Sequence, residues 1–216
     1  LVDTAEKTQR HCMMLENVCY GEEELWVLNI VQNGVLGDIT YGEGAYIHNL
    51  RERMFGDAHY KRYRLRNHRR RQGNLYPTHG IGPLAQYMDI LRGDKFEYLI
   101  SMSSPEASLT KEASSLPPNH EFHGVDDFNH GDMNMSLIKT HKGRLLLLKH
   151  DVVTHRPYSR INAIAGTEGY HEGHRAPTKL ALKRYDTHGW LNQEQYNKYW
   201  NHYSHPIWDR LRTATN

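Results

Sequence analysis

The sequence predicts an α+β domain, a mainly antiparallel open sheet with helices packed on one face. Three observations carry this. Residues 38–48 alternate, with Ile39, Tyr41, Glu43, Ala45 and Ile47 on one side and Thr40, Gly42, Gly44, Tyr46 and His48 on the other, which is the period of a strand. Residues 135–140, 144–153 and 161–165 are short apolar runs separated by His141-Lys142-Gly143 and by a polar stretch at 154–160, a meander pattern. Residues 22–32 carry Leu25, Leu28 and Val31 with Trp26 and Ile30 alongside, which is helical spacing.

Taken in order, residues 1–10 read as the tail of an amphipathic helix and residues 11–15, His-Cys-Met-Met-Leu, as a short buried strand. A lone helix–strand unit is what a parallel αβ domain leaves when most of it is absent, because parallel strands need crossover partners. Residues 1–17 are therefore expected to be the remnant of one domain. Residues 18–216 are expected to be a sheet domain that lacks its closing element.

Three glutamates open the helix at 22–32, the favourable end of its dipole, and Asn33-Gly34 close it as a left-handed cap. The glycine side of the 38–48 strand carries Tyr46 and His48 and leaves room for a ligand. The basic run at 61–71 holds Lys61, Arg62, Arg64, Arg66, Arg69, Arg70 and Arg71; it reads as a solvated helix or loop face, or as one or two arginines for an anion or polar sugar. Residues 80–91 predict a helix, 95–102 a strand, and the polar stretch 103–132, with Pro117-Pro118, a long loop. Residues 178–184 are a further strand candidate, and 191–208 are aromatic-rich and helical.

Composition narrows the function. Hydrophobic residues make up 38% of the 216 and the mean hydropathy is -0.79, polar enough for a sheet with one solvated face. No apolar run approaches the ~20 residues of a membrane span. A net charge of +2 argues against nucleic acid as the main partner, and no aromatic platform accompanies the basic run. Cys12 and Cys19 lack metal-ligand spacing and form no disulfide framework; Cys12, in an apolar segment, is expected to be an inert core thiol. Among the 16 histidines, His171-Glu172-Gly173-His174 and His202-Tyr203-Ser204-His205 each place two imidazoles three apart with no third ligand, and the HExxH spacing is absent. No metal site is expected.

The chemistry concentrates at Asn74-Leu75-Tyr76-Pro77-Thr78-His79-Gly80-Ile81-Gly82-Pro83. A phenol and an imidazole three residues apart suit proton transfer on a hydroxylated substrate. Pro77 pushes Tyr76 toward extended backbone. Gly80 and Gly82 let the chain approach a ligand, and Pro83 fits the first helical turn. Gly80-Ile81-Gly82-Pro83-Leu84-Ala85 matches G-x-G-x-x-A, but no apolar strand precedes it, so it is rejected as a dinucleotide fingerprint. A dinucleotide's phosphate loop would lie upstream of Leu1.

Five stretches in order resemble glycoside hydrolase family 109: Cys12-Met13-Met14-Leu15-Glu16-Asn17-Val18, Gly42-Glu43-Gly44-Ala45-Tyr46-Ile47-His48, Gly73-Asn74-Leu75-Tyr76-Pro77-Thr78-His79-Gly80, Tyr98-Leu99-Ile100-Ser101-Met102-Ser103-Ser104 and Arg156-Pro157-Tyr158-Ser159-Arg160-Ile161-Asn162. The resemblance spans about residues 1–169; residues 170–216 depart from the family's pattern. It implies NAD-dependent α-N-acetylgalactosaminidases of the glucose–fructose oxidoreductase/inositol dehydrogenase superfamily, with a Rossmann domain of which 1–17 is the end and a substrate-binding sheet domain at 18–216. On it, Asn17 touches NAD, and Tyr46, Arg64, Tyr76, Pro77, Thr78, His79 and Tyr158 line the sugar site, with Tyr76 and His79 catalytic. The implied reaction oxidises the sugar at C3, eliminates across C2 and C1, adds water and reduces again. Tyr76 as a base would need a cationic neighbour to lower its pKa, from Arg64 or the nicotinamide.

Packing roles stand beside these for Tyr46, Tyr158 and Asn17, and a helix-capping role for His79; Glu43 and His48 are further candidates. The alternatives are a sugar or cyclitol dehydrogenase of the same superfamily and a non-catalytic sugar- or metal-binding module. The resemblance also implies a family leaning towards export, with any signal upstream of Leu1, and a possible homodimer through the sheet face.

Overall fold

A computed structural model describes residues 1–56, 62–174, 178–186 and 188–214; Lys61 of the basic run lies outside them. The helices are α1 (Val2–Thr8), α2 (Glu22–Gln32), α3 (Arg51–Phe55), α4 (Tyr63–Arg70), α5 (Thr78–Tyr87), α6 (Ser108–Ser115), α7 (Gln193–His202) and α8 (Pro206–Ala214), with one 3₁₀ turn at Asn17–Tyr20. The strands are β1 (Ile39–Ile47), β2 (Phe96–Ser103), β3 (Asn134–Thr140), β4 (Leu145–Asp151), β5 (Asn162–Gly166), β6 (Gly169–Gly173) and β7 (Lys179–Leu182).

The seven strands form one open sheet in the order β2-β3-β4-β1-β5-β6-β7. The expected α+β sheet is present, and every pairing is antiparallel except one. β1 lies parallel to β4, with Tyr46 opposite His150, and antiparallel to β5. β4 and β5, adjacent in the expected meander, are therefore separated by a strand from much earlier in the chain. β6 was not anticipated, because Gly-Tyr-His-Glu-Gly has no apolar alternation; it is held by ladders on both sides.

The glycine side of β1 is the covered side. A Cβ on Gly42 would meet Leu84 Cδ2 at 2.7 Å, and one on Gly44 would meet the Gly80 backbone at 2.7 Å. Helix α5 fills the space expected for a ligand. Its first turn closes when the Pro77 carbonyl accepts from Gly80 N and Ile81 N at 3.1 and 2.9 Å. The helix thus begins before Gly80, and Pro83 sits in its interior. Gly80 and Gly82 permit helix packing: a Cβ on Gly82 would meet Cys19 Sγ at 2.8 Å.

Two apolar clusters sit around the sheet. Trp26, Ile30, Leu84, Met88, Leu146, Leu148, Ile164 and Leu180 bind α2 and α5 to its centre. Tyr46, Met54, Phe55, Leu65, Leu109, Val152 and Val153 form the second at the end of β1, where Tyr76 and Tyr158 pack against it. The expected loop at 103–132 contains α6, which buries Leu109 and Ala113 one turn apart. Its polar sequence hides it, and Glu106 and Asp132 hold its first amides. The opposite sheet face leaves Tyr98, Ile100 and Met102 of β2 more than half exposed.

The segment expected to be a buried strand is not one. Residues 11–15 have no regular structure and Met13, Met14 and Leu15 are 74%, 76% and 69% exposed, because none of the seven strands lies beside them. Cys12 is correspondingly exposed; the buried thiol is Cys19. No helix among the described residues is long and apolar enough to cross a membrane.

Candidate active site

The site forms where β1 runs past the start of α5. Tyr46 is the last glycine-side residue of β1, beyond the reach of the helix backbone. Its ring lies 4.7 Å from that of Tyr76 and 5.1 Å from that of His79, and those two are 4.8 Å apart. Arg64, the second residue of α4, places its guanidinium carbon 5.0 Å from the Tyr76 ring and 5.8 Å from the Tyr46 ring. A cation therefore lies beside Tyr76. Tyr158 joins through His48, with rings 4.8 Å apart, and the Tyr46 hydroxyl is 3.3 Å from His48 Nδ1.

His79 does not cap α5. Its Nδ1 is 2.7 Å from Glu16 Oε1, both side chains being largely buried. Glu16 also accepts from Val18 N at 3.1 Å, which caps the 3₁₀ turn. Burial alone would push the Glu16 carboxyl up; hydrogen bonds from Thr78, Val18 N–H and His79 outweigh it and hold the group below its usual range. Burial raises the Tyr46 phenol, partly opposed by Arg64, so Tyr46 stays a hydroxyl at neutral pH. Glu43 points away from the site and pairs with Lys149 on the open face.

Of the residues predicted from sequence, Tyr46, Arg64, Tyr76, His79 and Tyr158 converge. Thr78 hydrogen-bonds Glu16, and Pro77 starts the helix. Asn17 is exposed at the start of the turn that follows Glu16. The sequence reading missed three neighbours. Glu16 lay inside a quoted motif but carried no spacing signal. His68 and His150 are buried, 2% and 1% exposed, and lie near the site only because α4 packs over the end of β4. Burial pushes His150 down to about 2 and His68 down to about 4, each helped by His130. Among the described residues no group of three or more metal-ligating side chains is gathered.

The family described as glycosyl hydrolase 109, C-terminal domain, matches residues 20–216, so residues 170–216, read from sequence as departing from the pattern, fall within it. The chain belongs to glycosyl hydrolase family 109. It is 49% identical over 217 residues to glycosyl hydrolase family 109 protein 1 of Shewanella sp. (strain MR-4), covering 98% of this chain and 46% of that protein. It is 48% identical to a family 109 protein of Shewanella amazonensis, with the same coverage. The chain thus spans about half the length of the curated relatives it matches.

This family 109 chain also shares its fold with oxidoreductases. An NAD binding oxidoreductase from Klebsiella pneumoniae aligns with TM-score 0.59 and 13% identity over 88% of this chain and 48% of that one. The inositol dehydrogenase homolog from Azotobacter vinelandii, complexed with NADH and myo-inositol, aligns with TM-score 0.56 and 11% identity over 88% and 44%. Levoglucosan dehydrogenase, complexed with NADH and levoglucosan, gives 0.51 and 18% over 81% and 45%.

Proposed function

We propose that the protein carrying this chain is a glycosidase that releases terminal α-linked N-acetylgalactosamine by NAD-dependent oxidation, elimination, addition and reduction. One observation supports this over direct hydrolysis. Hydrolysis by displacement uses two carboxylates flanking the glycosidic bond. Among the described residues this site has one carboxylate, Glu16, and it is engaged with His79 and Val18 N. The groups around it are the phenols of Tyr46, Tyr76 and Tyr158, the His79 imidazole and the Arg64 guanidinium.

NAD, when bound, supplies reversible hydride transfer at C3 of the sugar, which makes the neighbouring C2–H acidic. The chain fits the nicotinamide end. Asn17 presents an exposed amide, with a donor and an acceptor edge, one residue from Glu16. The pyrophosphate has no counterpart at the glycines of α5, which are closed against β1 and Cys19.

The remaining chemistry belongs to side chains. His79 donates its Nδ1 proton to Glu16, leaving Nε2 to take a proton from the sugar or return one. Tyr76, beside the Arg64 guanidinium, is the second proton-transfer group. Tyr46, Arg64, Pro77, Thr78 and Tyr158 line the sugar. The open sheet face, with Tyr98, Ile100 and Met102 exposed, is proposed to pair with a second copy.

The test is turnover of an aryl α-N-acetylgalactosaminide by the full-length protein in heavy water. Deuterium at C2 of the released sugar is the expected result. Release without deuterium would defeat the elimination route. The second reading, a sugar or cyclitol dehydrogenase, is favoured by the dehydrogenases among the fold's relatives. NADH accumulating with no glycoside cleaved would select it.

A further inference from the structure

Beside the aromatic cluster lies a cavity of about 660 Å³ that shares Arg64 and Tyr76 with it but touches neither His79 nor Tyr158. Its other walls include Tyr63 and Arg71 from the α4 segment, and His68 and His150. The Tyr63 ring is 63% exposed, an aromatic surface on the rim rather than in a core. Among the described residues, His68 Nε2 and both His150 nitrogens are buried with no hydrogen-bond partner, while Tyr63 and Arg71 are exposed at the rim. Buried polar atoms left without partners are costly, so several such groups around one cavity point to a ligand.

The protonation pattern says what kind. His68 Nδ1 lies 2.8 Å from the Arg64 carbonyl and must donate to it. In the neutral ring, Nε2 is then a lone pair awaiting a donor. Arg71 offers only donors. A sulfate or a fully ionised phosphate ester accepts but does not donate, and leaves His68 unsatisfied. A hydroxyl does both. A pyranose ring also has an apolar face for the exposed Tyr63 ring.

We propose that this cavity is a subsite for the second saccharide unit of the substrate, the sugar on the leaving-group side of the bond, recognised through its hydroxyls. The proposal rests on the glycosidase reading above. It makes the protein selective for glycans over simple glycosides and assigns that selectivity to α4 and β4 rather than to the reacting centre.

The experiment compares two substrates in the full-length protein: an aryl α-N-acetylgalactosaminide, with no second sugar, and a trisaccharide ending in the same linkage. Tyr63→Ala and Arg71→Ala alter exposed side chains. Each is expected to raise KM for the trisaccharide about 10-fold more than KM for the aryl glycoside, with kcat little changed. His68→Phe, which removes the Nε2 acceptor together with the Nδ1 bond to the Arg64 carbonyl, should still lose more on the trisaccharide than on the aryl glycoside in protein with unaltered circular dichroism. Equal losses on both substrates, or none on either, would overturn the subsite. If the wild type cleaves neither, the glycosidase reading has failed. The subsite is then judged by calorimetric titration with the same trisaccharide: tighter binding than the aryl glycoside, weakened by Tyr63→Ala, supports it, and no preference refutes it.

Discussion

His79 Nδ1 lies 2.7 Å from Glu16 Oε1, across 63 residues of sequence. The contact joins the turn that begins at Asn17 to the first turn of α5. Gly82 permits it: a Cβ there would lie 3.0 Å from Glu16 Cγ, pushing the helix off the turn that carries the carboxylate.

Glu16→Gln keeps an acceptor for His79 but removes the charge that favours a donated Nδ1 proton. Catalysis by a positioned acid or base contributes roughly 10²–10⁴-fold. A drop in kcat of about 10-fold or more is expected, with the fold retained. Wild-type kcat in this variant would end the role of Glu16 in orienting His79.

The same residue makes a pH prediction. The folded Glu16 carboxyl is held below its ordinary value. Its contribution to stability is present above that ordinary value, about 4.5, and is lost as pH falls through the lower folded one. Denaturation midpoints of Glu16→Gln should therefore lie below those of the wild type at neutral pH and converge with them in acid. A constant gap across that range would contradict the linkage.

The Gly44–Gly80 approach is a packing constraint with no slack. Gly44→Ala would place a methyl 2.7 Å from Gly80 Cα and O, against backbone. Overpacking of this kind costs about 1–3 kcal/mol. Urea unfolding should show that loss, and Gly34→Ala, where the added Cβ meets nothing within 4 Å but φ is +67°, serves as the comparison for strain alone.

His171 is fully buried against Trp26, with burial pushing its imidazole down to about 3. The unfolded chain binds a proton near 6.5 that the folded one does not take until much lower pH. Stability should thus decline as pH falls from about 6.5 towards about 3. His171→Phe is expected to shallow that slope by up to one proton's worth, measured as the urea midpoint against pH. An unchanged slope would show that His171 takes up a proton without unfolding.

The two thiols separate cleanly. Cys12 is exposed; Cys19 is buried, and burial, with Glu16 and Glu24 nearby, raises its thiol to about 11. A thiol reagent at pH 8 should label Cys12 in native protein, and Cys19 only in denaturant. Two fast labels in native protein would contradict the burial of the 3₁₀ turn.

What the sequence by itself determined was local. Alternation at Ile39–Ile47, helical spacing at Glu22–Gln32 and the Tyr76–His79 motif each depend on neighbours within a few residues, so their periodicity survives in the linear text. It also carried enough motif order to mark Tyr46, Arg64 and Tyr158 for one site. Only the tertiary structure decided what fills the space beside each element. The glycines of β1 read as room for a ligand, yet α5 occupies it, because the same absence of side chains serves a sugar or a helix backbone equally well. The strand at 11–15 failed because strand formation needs a partner to accept its hydrogen bonds, and apolar composition alone supplies none. Likewise, β1 entered between β4 and β5 through a long-range parallel pairing that no local pattern records. Glu16, His68 and His150 reached the site through that pairing and the seating of α4 and α5, contacts spanning tens of residues and therefore invisible to spacing.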